Sequence, residues 1–178
     1  QSVLAHPMVR AWQLRTKALG ARTELNLSLA VSLTAHAIVA FEEASDPRNA
    51  CVVRAELGDV RRALGDYAGA ERVLTMASAT ATALGLDLTH SIKVSIALAR
   101  VRTGDPQSAW VLASEALEVA ERKGNRWLEM QARLASAGAC VVLHAPEDAQ
   151  ERLDGVLGRP GLTPPHRIAA RALQAAIF

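Results

Sequence analysis

A segment of this chain recurs at a nearly constant spacing, and that repetition limits the folds open to it more than any other feature. Leu64-Gly65-Asp66-Tyr67, followed by Ala70, Leu74 and Ala77, returns as Thr103-Gly104-Asp105-Pro106 with Ala109, Ala113 and Ala116. A fainter copy, His144-Ala145-Pro146 with Ala149, Leu153 and Val156, lies the same interval further on. A fixed period of this length implies stacked supersecondary units, each needing its neighbours to bury its apolar face. Such arrays present surfaces far more often than they house reactions.

The side chains available specify the kind of unit. Half the residues are hydrophobic but only 3% are aromatic, and 35 of the 178 are alanine. Small side chains with Leu suit helices that approach one another closely, whereas a sheet would draw on Val, Ile, Thr and aromatics. Twenty basic residues against 18 acidic ones leave a formal charge of +2, too small to create a one-sign field for a polyanion. Of the basic residues 17 are Arg and three are Lys, a bias that keeps forked contacts with carboxylates open. Cys51 and Cys140 fall on apolar faces of predicted helices and read as reduced core residues. No signal peptide and no long apolar run is visible, so a cytoplasmic location is expected. The first residue, Gln1, and helix-forming sequence up to Phe178 suggest a piece of a longer protein.

Breaker residues divide the chain into nine helical segments. Pro7 opens the first, which Gly20 is expected to end after Leu19, and the second runs from Glu24 to Ala44. The third extends from Pro47 to near Leu64, and the fourth from Tyr67 to Leu84. Asp87 or Thr89 begins the fifth, ending near Arg102; Pro106 to Arg122 and Asn125 to Leu143 are the sixth and seventh. Pro146 to Leu157 is the eighth, and Thr163 caps a ninth that starts with Pro164 and Pro165. Asp105-Pro106 shows the logic: an Asp side chain accepts from free first-turn amides, and Pro in the first helical position loses no hydrogen bond. Ala70 with Ala77, and Ala109 with Ala116, sit two helical turns apart on the stripe expected to face the preceding helix.

These residues resemble the tetratricopeptide repeat, a helix-turn-helix unit with Leu-Gly in its first helix, a Gly-Asp or Gly-Asn turn, and small residues in its second. The strongest match is Leu57-Gly58, Gly65-Asp66-Tyr67, Ala70, Leu74 and Ala77. The next unit keeps Gly104-Asp105, Ala109 and Ala116 but has Ile96-Ala97 for Leu-Gly. The unit from Gln131 to Leu157 keeps Ala149 and apolar neighbours, and the first pair, through Phe41, is weaker. The resemblance implies one all-α domain over residues 1–178, an α-α superhelix of about nine antiparallel helices with a right-handed twist. Its units would span about 6–45, 47–85, 87–124 and 125–158, with a partial unit at 163–178. The period of 39 to 40 exceeds the usual 34 of the family, which implies longer helices. The elongated, Ala- and Arg-rich repeats are similar to those of large bacterial signalling proteins.

Catalytic signatures are missing from the sequence. None of Lys17, Lys93 and Lys123 follows a glycine, so there is no phosphate loop, and neither GxGxxG nor GxSxG occurs. His6, His36, His90, His144 and His166 never form HxxxH, and with two distant cysteines they do not suggest zinc. No enzyme activity, cofactor or metal is expected. Binding is the remaining function. By the resemblance, the first helix of each pair lines a groove, giving Val52, Ala55, Glu56, Asp59 and Arg62, then Ser91, Val94, Ser95, Leu98 and Arg102, then Gln131, Leu134 and Val141. The partner-binding set to test is Glu56, Asp59, Arg62, Ser91, Ser95, Leu98, Arg102 and Gln131. The Lys and Asn of the family's carboxylate clamp have no counterparts here, so capture of a free peptide C-terminus is not implied.

Two functions follow as expectations. The first is a non-catalytic scaffold presenting its groove to a peptide or helix of a partner protein, with Arg62 and Arg102 fixing register through carboxylates. The second is a ligand-responsive sensor or regulatory domain that binds a small molecule. RNA binding fits less well, because the six aromatic residues are dispersed. In the ninth helix Ile168, Ala172, Leu173, Ala176 and Ile177 form an apolar stripe beside Arg167, Arg171 and Gln174. That stripe predicts homo-oligomerisation or docking of an adjacent domain.

Overall fold

The computed structural model describes residues 6–177, and within them the chain is all-α, with nine helices and no strand. They are α1 (Pro7–Thr23), α2 (Leu27–Glu43), α3 (Pro47–Ala63), α4 (Tyr67–Ala83), α5 (Thr89–Thr103), α6 (Pro106–Lys123), α7 (Arg126–Val142), α8 (Pro146–Leu157) and α9 (Pro164–Ala175). Phe178 lies outside the described residues. Two compact units divide between Ile92 and Lys93, within α5. In the first unit α1 packs on α2, α2 on α3 and α3 on α4; in the second, α6 packs on α7, α7 on α8, and α9 on both α7 and α8.

The turns recur at half the period of the repeated segments. A residue of positive φ occurs at Leu25, Ser45, Gly65, Gly85, Gly104, Gly124 and His144. At each of these, the next residue donates its backbone N–H to the carbonyl five positions back: Asn26 to Ala21, Asp46 to Phe41, Asp66 to Arg61, Leu86 to Ala81, Asp105 to Arg100, Asn125 to Ala120 and Ala145 to Cys140, at 2.8 to 3.0 Å. This is the Schellman closure, in which a left-handed residue lets the chain satisfy the last free carbonyls of a helix. In five of the seven turns the donor residue also caps the following helix. The Oδ1 atoms of Asn26, Asp46, Asp66, Asp105 and Asn125 accept from the amides of Leu29, Asn49, Gly69, Ser108 and Leu128. One residue therefore ends one helix and starts the next, which forces a short connection and an antiparallel return.

This coupling explains the two boundaries that differ from expectation. Gly20 does not end α1; the helix runs through it to Thr23, because the left-handed position is occupied by Leu25 at φ 60°. α2 then starts at Leu27, since Asn26 and not a residue near Glu24 supplies the cap. Between α4 and α5 the donor position holds Leu86, which has no capping oxygen, and α5 is delayed to Thr89.

The recurring small residues do face the core. Ala70, Leu74 and Ala77, then Ala109, Ala113 and Ala116, then Ala149, Leu153 and Val156 are all fully buried. In α2, one period before the first of these sets, Ala30, Thr34 and Ala37 are buried in the same way. Thr34 donates its hydroxyl to the Ala30 carbonyl at 2.6 Å, so its polar atom needs no outside partner. The first helices carry a matching pair at the same two-turn spacing, with Ala11 and Ala18 in α1, Cys51 and Gly58 in α3, and Ala132 and Ala139 in α7, each buried. A Cβ on Gly58 would lie 2.4 Å from Leu74 Cγ, so α3 and α4 are closer there than any larger residue permits. α9 corrects the sequence reading of its stripe: Leu173 and Ile177 pack inward with Ala170, Leu134, Leu153 and Val156, while Ile168, Ala172 and Ala176 face outward.

The close crossing of α3 and α4 can be tested by mutation. Gly58→Ala should destabilise by about 1 to 3 kcal/mol through overpacking, and Leu74→Ala by about 2 to 5 kcal/mol through the space it leaves. Urea unfolding of the double variant should show a loss well below the sum, since each change relieves the defect of the other; additive losses would mean that the two helices do not meet there.

The aspartate caps make the fold sensitive to acid. The carboxyl of Asp46 is held below the usual carboxylate range by the Asn49 amide first, then by the Asn49 side chain. Asp66 is lowered chiefly by the Gly69 amide and then by Arg61, and Asp105 by the Ser108 hydroxyl and then its amide. A depressed folded value contributes stability that is fully present above the unfolded aspartate value, about 3.9, and is lost as pH falls through the folded value. Asn keeps the cap without the titration. The triple Asp46→Asn/Asp66→Asn/Asp105→Asn variant should be slightly less stable than the parent at pH 7, where Asp66 also holds Arg61, and lose less stability than the parent between pH 5 and pH 2.

Candidate functional site

In the first unit one predicted groove residue of α3, Glu56, is tied to α1. Glu56 receives Arg15 on both carboxylate oxygens, from Nη2 at 2.6 Å and Nε at 3.2 Å. Their side chains are only 20% and 24% exposed, so this forked pair is better shielded than an ordinary surface bridge. Arg15 also lies over Trp12, with its guanidinium carbon 5.2 Å from the ring centroid. Trp12 in turn meets the fully buried Phe41 edge to face, with centroids 5.3 Å apart and planes at 89°. Four side chains from three helices thus form a continuous series from the core to the surface. Within it Trp12 remains 44% exposed.

Asp59 and Arg62 are one turn apart on α3 and face each other at 3.5 Å. They answer one another before any partner arrives. Ser91, also in the first unit, turns its hydroxyl back to the Leu88 carbonyl at 2.7 Å, supporting the start of α5. Shifting Val52, Ala55, Glu56, Asp59 and Arg62 back by one repeat period gives Trp12, Arg15, Thr16, Leu19 and Arg22 on α1. Sequence reasoning missed these because the first pair has no Gly-Asp turn; the shift by one period is the signal that finds them. Leu19 is exposed, as is Trp12. Met8, Val9, Gln13, Thr16 and Lys17 line a shallow surface hollow with Trp12.

In the second unit several predicted lining residues serve the fold. Val94 is buried in the core with Ala109, Ala113 and Ala116, and Leu98 packs against the same cluster. Leu134 is buried among residues of α8 and α9. Gln131 reaches across to α9, where its amide nitrogen meets His166 Nε2 while His166 Nδ1 meets Thr163 Oγ1. With the amide donating, His166 carries its hydrogen on Nδ1 and gives it to Thr163. Ser95 is half-buried and Arg102 exposed on α5. A separate ion network joins Arg133 to Glu121 at 2.9 Å and to Glu129 at 3.1 Å, with Arg159 also on Glu129. It fastens the end of α6 and the segment after α8 to α7.

Both thiols are shielded. Burial pushes Cys51 and Cys140 up from the ordinary thiol value, and Cys51 Sγ donates to the Ala77 carbonyl at 3.3 Å. Among the described residues no group of three or more His, Cys, Asp or Glu side chains is placed to hold a metal ion, and no helix is long and apolar enough to cross a membrane. Set against known proteins, the chain matches no family model and no curated protein.

The α1–α3 connection can be measured. A double-mutant cycle on Arg15→Ala and Glu56→Ala should give a coupling of about 1 kcal/mol, at the upper end for exposed pairs because this one is forked and shielded. The coupling should shrink little in 0.5 M salt. A coupling near zero would mean that the pair does not form in solution.

Proposed function

We propose that this chain is a non-catalytic protein-interaction module of the tetratricopeptide-repeat kind, and that its first unit binds a peptide or helix of a partner along α1 and α3. The observation that carries this reading is the partly exposed Trp12, held by Phe41 beneath and Arg15 above. An aromatic side chain already fixed in place loses little freedom when a partner covers it, and buried Trp is prominent among residues that dominate interface energies. Leu19, two turns further along the same helix, extends the apolar contact, while Arg22, together with Arg62 drawn from its contact with Asp59, supplies charge for a partner carboxylate. A partner segment with apolar residues at helical spacing and a carboxylate toward these arginines fits this surface. The resemblance of the repeats to those of bacterial signalling proteins supports a setting in a cytoplasmic regulatory protein.

The test is selection of helical peptides from a displayed library on the immobilised chain. Trp12→Ala and Leu19→Glu should each weaken the selected ligands at least tenfold, and Arg62→Glu should weaken those that carry acidic residues. Val142→Glu, on the exposed face of α7 in the second unit, serves as the control and should leave binding unchanged. Ligands insensitive to both Trp12→Ala and Leu19→Glu would refute this surface.

A further inference from the structure

Among the described residues, α9 leaves charges and apolar surface without partners. Ile168 is 70% exposed, and Ala172 and Ala175 extend the same outward face along the helix. This is the kind of surface, small residues with one larger aliphatic, that the buried helix crossings of this protein use. On the flank, Arg167 contacts only the Leu162 carbonyl, at 3.5 Å, and Arg171 donates to the neutral Gln174 side chain at 2.7 Å. Neither meets a carboxylate among the described residues. Next to α9, the α8 residues Glu147, Glu151 and Asp154 line a groove floored by Pro146 and Ile177. Asp154 accepts from Gln150, whereas Glu147 and Glu151 are exposed with no basic partner among the described residues. The molecule thus carries two unpaired cations and two unpaired anions on adjacent helices, beside an uncovered apolar face.

We propose that the occupant of this face is the α8–α9 region of a second copy of the chain. Across a two-fold axis the outward faces of the two α9 helices meet, and Arg167 and Arg171 of each copy pair with Glu147 and Glu151 of the other. A two-fold interface must be self-complementary, and this surface holds both signs of charge and the apolar strip within two helices. Head-to-tail association, with α9 on the exposed face of α1, is disfavoured because it would bring Arg167 and Arg171 toward Lys17. Two 12-residue helices offer less surface than permanent dimers bury, which places this contact among the weak, concentration-dependent associations. This inference does not depend on the α1–α3 binding surface.

Sedimentation of the chain between about 5 and 500 μM tests it. The parent should pass from monomer to dimer and go no further. Arg167→Glu/Arg171→Glu should weaken dimerisation at least tenfold, and so should Glu147→Arg/Glu151→Arg, because each places like charges in both halves of the interface. An equimolar mixture of these two variants restores opposite charges in both halves, and should dimerise as the parent does. Ile168→Glu, at an exposed position, should abolish association with the helical circular dichroism signal intact. A parent that stays monomeric throughout the range, a series of higher oligomers, or a mixture no more associated than its separate components would each overturn the proposal.

Discussion

The structure depends on the residue that follows each left-handed turn position. Its amide closes the preceding helix and, where it is Asn or Asp, its side chain opens the next, so the two events cannot drift apart along the chain. With 17 residues in each of the first four helices, the coupling returns every helix to the same register against its neighbour. Small residues two turns apart then meet at successive crossings. Ala11 and Ala18, Ala30 and Ala37, Cys51 and Gly58, and Ala70 and Ala77 are all buried in that alternation. The coupling lacks its capping oxygen at Leu86 and at Ala145: Pro146 opens α8 at once after Ala145, whereas after Leu86 the following helix starts late and the boundary between compact units lies a few residues beyond.

Such packing places helix axes near one another but gives each residue little apolar area. Alanine removes far less surface from water than leucine, so the core gains by the number of close approaches and not by any one side chain. A few larger residues hold disproportionate weight. Phe41, Leu74, Ile92 and Leu153 are the largest fully buried side chains among the described residues, and Leu74 sits against Gly58, where any side chain would collide with it. The same scarcity makes Trp12 stand out: in a chain with six aromatic residues, one is held at the surface by contacts that reach back to two other helices.

How much of this was legible in the sequence depended on what each signal measured. The Gly-Asp turns and the alanine spacing report backbone geometry and close approach, and both are local, so α3, α4, α6 and α8 were located to within a residue or two. The second helix of the first pair carries the same spacing as Ala30, Thr34 and Ala37, but its turns use Leu25 and Ser45 instead of glycine, and the likeness was obscured. The groove residues were less legible because side-chain pairing is not local. Nothing in the α3 sequence shows that Glu56 is met by Arg15 from a different helix. Likewise, Leu134 reads as groove lining until α9 is seen to cover it, and the ninth helix's stripe divides only when its inner face has a neighbour.

Each compact unit contains one thiol, Cys51 in the first and Cys140 in the second, and both are almost wholly shielded from solvent. A buried thiol must be uncovered before it can react, so its rate of alkylation follows the opening of the structure around it. The native chain therefore contains a separate clock for each half. Whether the halves breathe together or independently can be read from two labelling rates on one unmodified molecule.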